Sequence, residues 1–238
     1  MIEVRKYLDR GGRSPIAAWS DRLNREAAAK VAAALARIQQ GNFSNAKGVG
    51  TGVYEYRIHF GPGYRIYFGK DGDQLVILVG GGTKKTPAGR HQYCIGSMAR
   101  LQRTKKGRKV TTMALTRDFK ETIRARVKRD TGFRKALLRE GIENFLSGDV
   151  ETGKIILRDF INATVGFTKL SDVTHRSPKS LMRMLGPKGN PQARNLFEIV
   201  AYLQHAEGVR FEVRSTRAAL RTKKWAFAAK FRGQAARA

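Results

Sequence analysis

Between residues 53 and 82 the chain breaks into three runs of aromatic and β-branched residues, and this pattern constrains the fold more than any other. VYEYRIHF (53–60) is followed by Gly61-Pro62-Gly63, then YRIYFG (64–69), then Asp71-Gly72-Asp73, then QLVILVGGG (74–82). Gly/Pro and Asp-Gly turns between such runs are hairpin signals, so the three runs read as an antiparallel meander. Upstream, IEVRKY (2–7) reads as a further strand. Ser14-Pro15 starts a helix, because proline suits the first helical turn; Ile16, Ala17, Trp19 and Leu23 share one face of it. A second, alanine-rich helix covers 24–40, with Val31, Ala34, Leu35 and Ile38 at helical spacing and Gly41 as its stop. NFSNAKGVGTG (42–52) reads as a loop. The expectation for residues 1–86 is an α+β domain of two helices on an antiparallel sheet.

The period then changes. Residues 87–112 show no clean periodicity, end in a basic cluster, and read as an irregular basic linker. Helical spacing returns after Met113, where Phe133, Ala136, Leu137, Ile142 and Phe145 form an apolar stripe. A helix is expected over 150–164. A compact pair follows: one helix over 168–174, a turn at His175-Arg176, and a second from Ser177 or Pro178 to Leu185, stopped by Gly186-Pro187. Leu170, Val173, Leu181 and Leu185 are the expected core of this pair. A last helix covers 195–205. Residues 113–213 thus read as an all-α domain. The basic tail, 214–238, reads equally as a DNA-contacting arm and as a disordered extension.

Charge decides which partners are plausible. The chain has 238 residues with 47 Lys and Arg against 19 Asp and Glu, a net charge of +28 and a pI near 11.0. The excess is not confined to a tail: residues 1–112 hold 21 basic and 7 acidic residues, residues 113–238 hold 26 and 12. A foldable chain this basic points first to nucleic acid, then to an anionic membrane or an acidic protein. No apolar run reaches the roughly 18 residues of a membrane span, and the N-terminus lacks an apolar leader, so no membrane role and a cytoplasmic location are expected. The single cysteine, Cys94, excludes an internal disulfide framework and a multi-cysteine zinc site. No metal or cofactor is expected.

The run YEYRIHFGPGYRIYFGKDGDQLVILVGGGTKKT (54–86) resembles the core of RelE/ParE-superfamily toxins, closest to the HigB-like addiction module killer branch. The resemblance implies a metal-independent endoribonuclease acting on mRNA at the ribosome. Such cleavage needs a base, cations to stabilise the phosphorane, and an acid for the leaving oxygen. Arg65, in Gly63-Tyr64-Arg65, matches the superfamily's transition-state arginine. Arg57 matches a basic position on the preceding strand, and Lys84 or Lys85 the basic residue after the last strand. His59 alternates with Arg57 as a candidate acid or base, against a structural role. Tyr64 and Tyr67 are candidates for stacking on RNA bases, against a place in the sheet core. For Arg57 the alternative is partnership with Glu55 or with an acid elsewhere.

The chain departs from the family after Lys84-Lys85-Thr86, where family members continue with QQ-x-D-I-x-x-A and a W-x-x-Y-K helix. The codons allowed by residues 87–102, read after dropping one base, accommodate QQADI…A…W..YK; Met98-Ala99, for instance, must then encode Trp. A one-base frameshift near codons 86–87 therefore accounts for residues 87–112 as a seam, with a true linker as the competing reading. It removes the toxin's own C-terminal segment, so weak or no nuclease activity is expected unless His91 or Tyr93 substitutes.

FTKLSDVTHRSPKSLMRMLGPKGNP (167–191) resembles the lambda-repressor-like helix-turn-helix of HigA-type addiction module antidotes. The resemblance implies binding to operator DNA, autorepression of transcription, and association with the toxin. Ser177, Lys179, Ser180 and Arg183 of the second helix are candidates for base or phosphate contact in the major groove. Thr168 and Lys169, at the first helix's start, are candidates for holding phosphate. Together the two resemblances imply a fused type II toxin–antitoxin protein. Its expected partners are operator DNA, mRNA and the ribosome if the toxin part is active, and either another copy or its own antitoxin part in cis. An active nuclease silenced in cis and a fusion product without function are the alternatives. The gene sequence tests the seam: a one-base shift near codon 86 restores an open, family-like ending, and a frame closed by early stops removes the idea.

Overall fold

The computed structural model describes residues 1–72, 75–85, 94–97, 99 and 116–214. The expected linker therefore lies largely outside the described residues, as do Met113, His91, Tyr93 and the tail beyond Arg214; its described residues, 94–97 and 99, are helical rather than irregular.

The protein is a mixed α and β fold with a six-stranded sheet ordered β2-β3-β4-β5-β1-β6. The strands are β1 (Glu3–Tyr7), β2 (Ala46–Gly50), β3 (Val53–Ile58), β4 (Tyr64–Asp71), β5 (Leu75–Thr83) and β6 (Thr116–Asp118). The meander β3-β4-β5 is antiparallel, as its turns require. β1 joins β5 in parallel, Val4 opposite Val76, because the two helices between them carry the chain back across the sheet.

Two strands depart from expectation. Residues 46–50, expected within a loop, form β2 against β3, with Lys47 opposite Glu55 and a bulge between Gly48 and Gly50. Three glycines in eleven residues hid it; an edge strand tolerates them because only one neighbour constrains its backbone. Residues 116–118, expected in an all-α half, form β6 antiparallel to β1, Arg5 opposite Asp118. Three residues are too few to show a period, and it is the exposed edge of β1 that orders them.

The helices are α1 (Pro15–Asp21), α2 (Arg25–Gln39), α3 (Lys120–Arg129), α4 (Thr131–Leu146), α5 (Val150–Ala163), α6 (Gly166–Thr174), α7 (Pro178–Met184) and α8 (Ala193–Ala206). Caps set their starts: the Ser14 hydroxyl accepts from the Ala17 amide, the Asn24 side chain from Ala27 and Asp149 from Thr152. None of the described helices is long and apolar enough to cross a membrane.

α2 is the centre of the molecule. Ala27, Val31, Ala34, Leu35 and Ile38 face the sheet and pack with Trp19, Tyr56, Ile66 and Phe68. Ala28, Ala29, Ala32, Ala33 and Ala36 face away and pack with Phe133, Leu137, Ile156 and Phe160 of the later helices. Alanine brings helix backbones close together and has almost no rotamer entropy to lose. The flanks of this contact are ionic. Lys30 Nζ lies 2.7 Å from Glu140 and 3.0 Å from Glu143, Arg37 Nε lies 2.8 Å from Asp149, and Arg25 Nε lies 3.1 Å from Asp130.

Arg126 of α3 adds a buried tie. Its Nη1 and Nη2 donate to the carbonyls of Ser20 (2.6 Å) and Leu23 (2.7 Å), which end α1, and its guanidinium lies over the Phe133 ring. Loss of this cation removes both donors and the contact with the Phe133 ring; the Ser20 carbonyl keeps the Leu23 amide at 3.2 Å, but the Leu23 carbonyl loses its side-chain donor, at roughly 1–3 kcal/mol. Arg126→Ala is expected to cost about 2–4 kcal/mol of stability. Denaturant melts followed by ellipticity and by fluorescence should lose both halves at one shared midpoint; separate midpoints would show that the halves are not coupled through α2.

Candidate nucleic-acid interfaces

Alternation along β3 and β4 sends one set of side chains to the helices and the other to the opposite face. The face turned away from α2 carries Val53, Glu55 and Arg57 of β3 and Arg65 and Tyr67 of β4. Its apolar end is covered by residues 94–97: Cys94 is fully buried among Tyr7, Val53, Tyr67, Ile77 and Val79. At the other end Arg57 and Arg65 are direct cross-strand partners, with Gly82 of β5 next in register.

Two like charges placed opposite each other repel unless something offsets them. Glu55 does so. Its Oε1 lies 2.9 Å from Arg57 Nε and 3.2 Å from Arg65 Nε, and the Tyr67 hydroxyl lies 3.4 Å from its Oε2. Glu55 is only 8% exposed, whereas the Arg57 side chain is 41% exposed. Burial, then the neighbouring Glu55 carboxylate, pushes the Tyr67 phenol up to about 12. The phenol therefore stays protonated at neutral pH and can donate to that carboxylate.

Gly63 shapes the turn that delivers Arg65. Its φ of +75° favours glycine, and its carbonyl accepts from the Lys84 amide at 2.7 Å. A Cβ there would lie 3.6 Å from Lys84 Cβ and 3.7 Å from Arg65 Nη1, so Lys84 and Arg65 meet at this corner. Lys84, Lys85 and His59 are exposed. The structure thus pairs Arg57 with Arg65 and sets Lys84 at the Gly63 turn that leads into Arg65.

Both tyrosines correct the stacking expectation. Tyr64 is 7% exposed, packed edge-on to Trp19 and stacked on Phe60. Tyr67 is 3% exposed. Their rings supply apolar area to two cores, so neither offers a face to a base. The ring of Trp19 reaches Tyr64 because Gly81 has no side chain; a Cβ there would fall inside the indole. Sequence reasoning weighed Glu55 only as a partner of Arg57 and overlooked Lys47, which β2 places opposite Glu55. The alternation of Glu55 with Arg57 was the available signal.

The second candidate interface is the pair α6–α7. His175 at φ +53° makes the turn, and Ser177 caps α7 by accepting from the Ser180 amide at 3.2 Å. Arg176 locks the turn onto α8: its guanidinium donates to the Thr174 carbonyl, to Glu198 at 2.7 Å and to Asn195 at 2.6 Å. Leu170, Leu181 and Leu185 are buried as expected. Val173 is not; it is 49% exposed, because the core beneath the pair is already filled by Phe167, Leu170 and Leu181. Lys154, 2% exposed at its side chain, donates to the Gly189 carbonyl and fixes the loop after α7.

This leaves a cationic outer surface. Thr168, Lys169, Ser177, Lys179 and Arg183 are exposed and Ser180 is half-buried. Val165, the cap of α6, has no side-chain oxygen, so its first-turn amides, near Thr168, have no side-chain cap. Ser177 is committed to capping α7 through its oxygen and keeps only its hydroxyl proton to give. Among the described residues, Lys169, Lys179, Arg183 and Lys188 have no acidic partner.

No family model matches the chain, and no solved structure matches it. Among curated proteins, an uncharacterized protein of Haemophilus influenzae is 45% identical over 69 residues, a stretch that is 29% of this chain and 70% of that protein.

The Tyr67 phenol gives a pH test. Its folded value lies above the unfolded one near 10, so its contribution is complete below pH 10 and is lost as pH rises through 12. Wild-type stability should fall more steeply than that of Tyr67→Phe across this window; parallel pH profiles would contradict the assignment.

Proposed function

We propose that this chain, which belongs to the same family as the uncharacterized Haemophilus influenzae protein, is a fused toxin–antitoxin polypeptide whose working activity is operator DNA binding by its α6–α7 pair. The observation that carries this reading is the set of cations on that pair and the loop after it that have no acidic partner among the described residues. Most acidic residues elsewhere in the helical half are spent on ion pairs with α2 or within the half, yet among the described residues Lys169, Lys179, Arg183 and Lys188 stand without one. A polyanion rewards such an arrangement by counterion release. In this reading α7 enters the major groove, Lys179 and Arg183 reach base edges or phosphates, and Thr168 and Lys169 fix the register on the backbone. Arg176 and Lys154 act through others: they hold the turn and the following loop, and so aim α7.

A second reading concerns the sheet. Arg57, Arg65 and Lys84 form the corner expected of a RelE/HigB-like mRNA interferase. The hold of Glu55 on both arginines, with both tyrosines buried, supports an impaired nuclease rather than an active one. The docking of α4 and α5 on α2 supports an antidote half that works in cis.

Gel shifts with the DNA upstream of the gene test the main reading. Arg183→Ala or Lys179→Ala should weaken specific binding by roughly tenfold or more where the residue reads a base. Lys169→Ala should weaken all DNA similarly and lower the salt slope by about one. Absence of a specific shift at moderate salt would refute the proposal, since non-specific binding fades steeply there.

A further inference from the structure

Arg57 and Arg65 reach Glu55 in an unusual way. One oxygen, Oε1, faces the Nε of both guanidiniums, at 2.9 and 3.2 Å. A single non-bridging phosphate oxygen would sit between two guanidiniums in the same manner. The contact uses the inner edge of each arginine. Arg65 Nη1 turns to the Tyr64 carbonyl at 3.1 Å, while the Arg57 side chain remains 41% exposed. The carboxylate is prepositioned: Glu55 is 8% exposed, and the Tyr67 hydroxyl steadies its other oxygen. Lys47, opposite Glu55 on β2, is exposed and makes no ion pair among the described residues, so a further cation stands beside the pair.

We infer that Glu55 is a built-in competitor at the Arg57–Arg65 pair, its carboxylate standing where an RNA phosphodiester would bind. This rests on the reading of the sheet corner as an RNA site, and it names how that site is regulated. The arginines are not missing or misplaced; they are occupied. An RNA strand must displace the carboxylate or bind only through the outer guanidinium edges, and either route weakens its hold. Removal of the charge alone, with the shape kept, loosens the hold on both inner edges, because a neutral amide oxygen is a weaker acceptor than a carboxylate.

The test uses the full chain and a fluorescein-labelled single-stranded RNA, read by anisotropy at one fixed moderate salt so that scattered cations contribute equally to every variant. Glu55→Gln is expected to bind about fivefold or more tightly than the natural chain, a gain of the size that charge-assisted contacts supply. That gain should vanish when Arg65→Ala is added. If Arg65→Ala weakens binding but Glu55→Gln leaves it unchanged, the corner binds RNA and the competitor role is overturned. If none of the variants changes binding, the RNA reading of this face falls, and the inference falls with it. A Glu55→Gln gain that persists with Arg65→Ala also overturns the inference, because it then acts elsewhere. Thermal melts accompany each variant; should Gln not fold, Glu55→Thr, uncharged and suited to a strand, is read against the same baseline.

Discussion

Everything in this structure depends on α2 being buried on both sides. A helix between a sheet and a second helical layer has no solvent face large enough for the usual polar stripe. Alanine on the outer side resolves the packing, since Ala28, Ala29, Ala32, Ala33 and Ala36 let α4 and α5 approach the backbone closely. Lys30 and Arg37, at the edges of the contact, meet Glu140, Glu143, Asp149 and Asn144. Apolar burial supplies the affinity and these ion pairs set the register, because a slip of one turn would leave half-buried cations unpaired.

That arrangement distributes charge as well as mass. The chain has few acidic residues, and many stabilise the contact between the early sheet and the later helices. Among the described residues, the cations Lys169, Lys179 and Arg183 on the outer surface of α6–α7 have no acidic partner. Arg57 and Arg65 lie on the face of the sheet opposite α2, so α4 and α5, docked on α2, do not cover them. Restraint on those arginines comes from within their own sheet, through Glu55. The two candidate interfaces thus differ in their electrostatics: one presents cations without acidic partners among the described residues, while at the other a carboxylate lies between two arginines.

Local chemistry was legible where it acts locally. The Gly61-Pro62-Gly63 turn placed β3 and β4, Ser14-Pro15 started α1, and His175 with Ser177 placed the turn and start of the short helix pair. Arg57 and Arg65 on adjacent strands followed from the hairpin alone. β2 and β6 escaped because their order comes from an edge supplied by another part of the chain, not from their own composition. Tyr64 and Tyr67 were ambiguous for a similar reason: an aromatic residue in a strand suits a core and a stacking platform equally, and only what covers the face decides.

By itself, then, the sequence determined the basic character of both halves, the hairpins, the helix starts and the residues able to meet a polyanion, since each follows from charge or from a few neighbouring residues. Tertiary structure alone decided that α2 serves two cores, that Val173 stays outside, and that Glu55 sits between two arginines. Those outcomes depend on which distant surfaces meet, and contacts such as Lys30 with Glu143, far apart along the chain, leave no periodic trace in it.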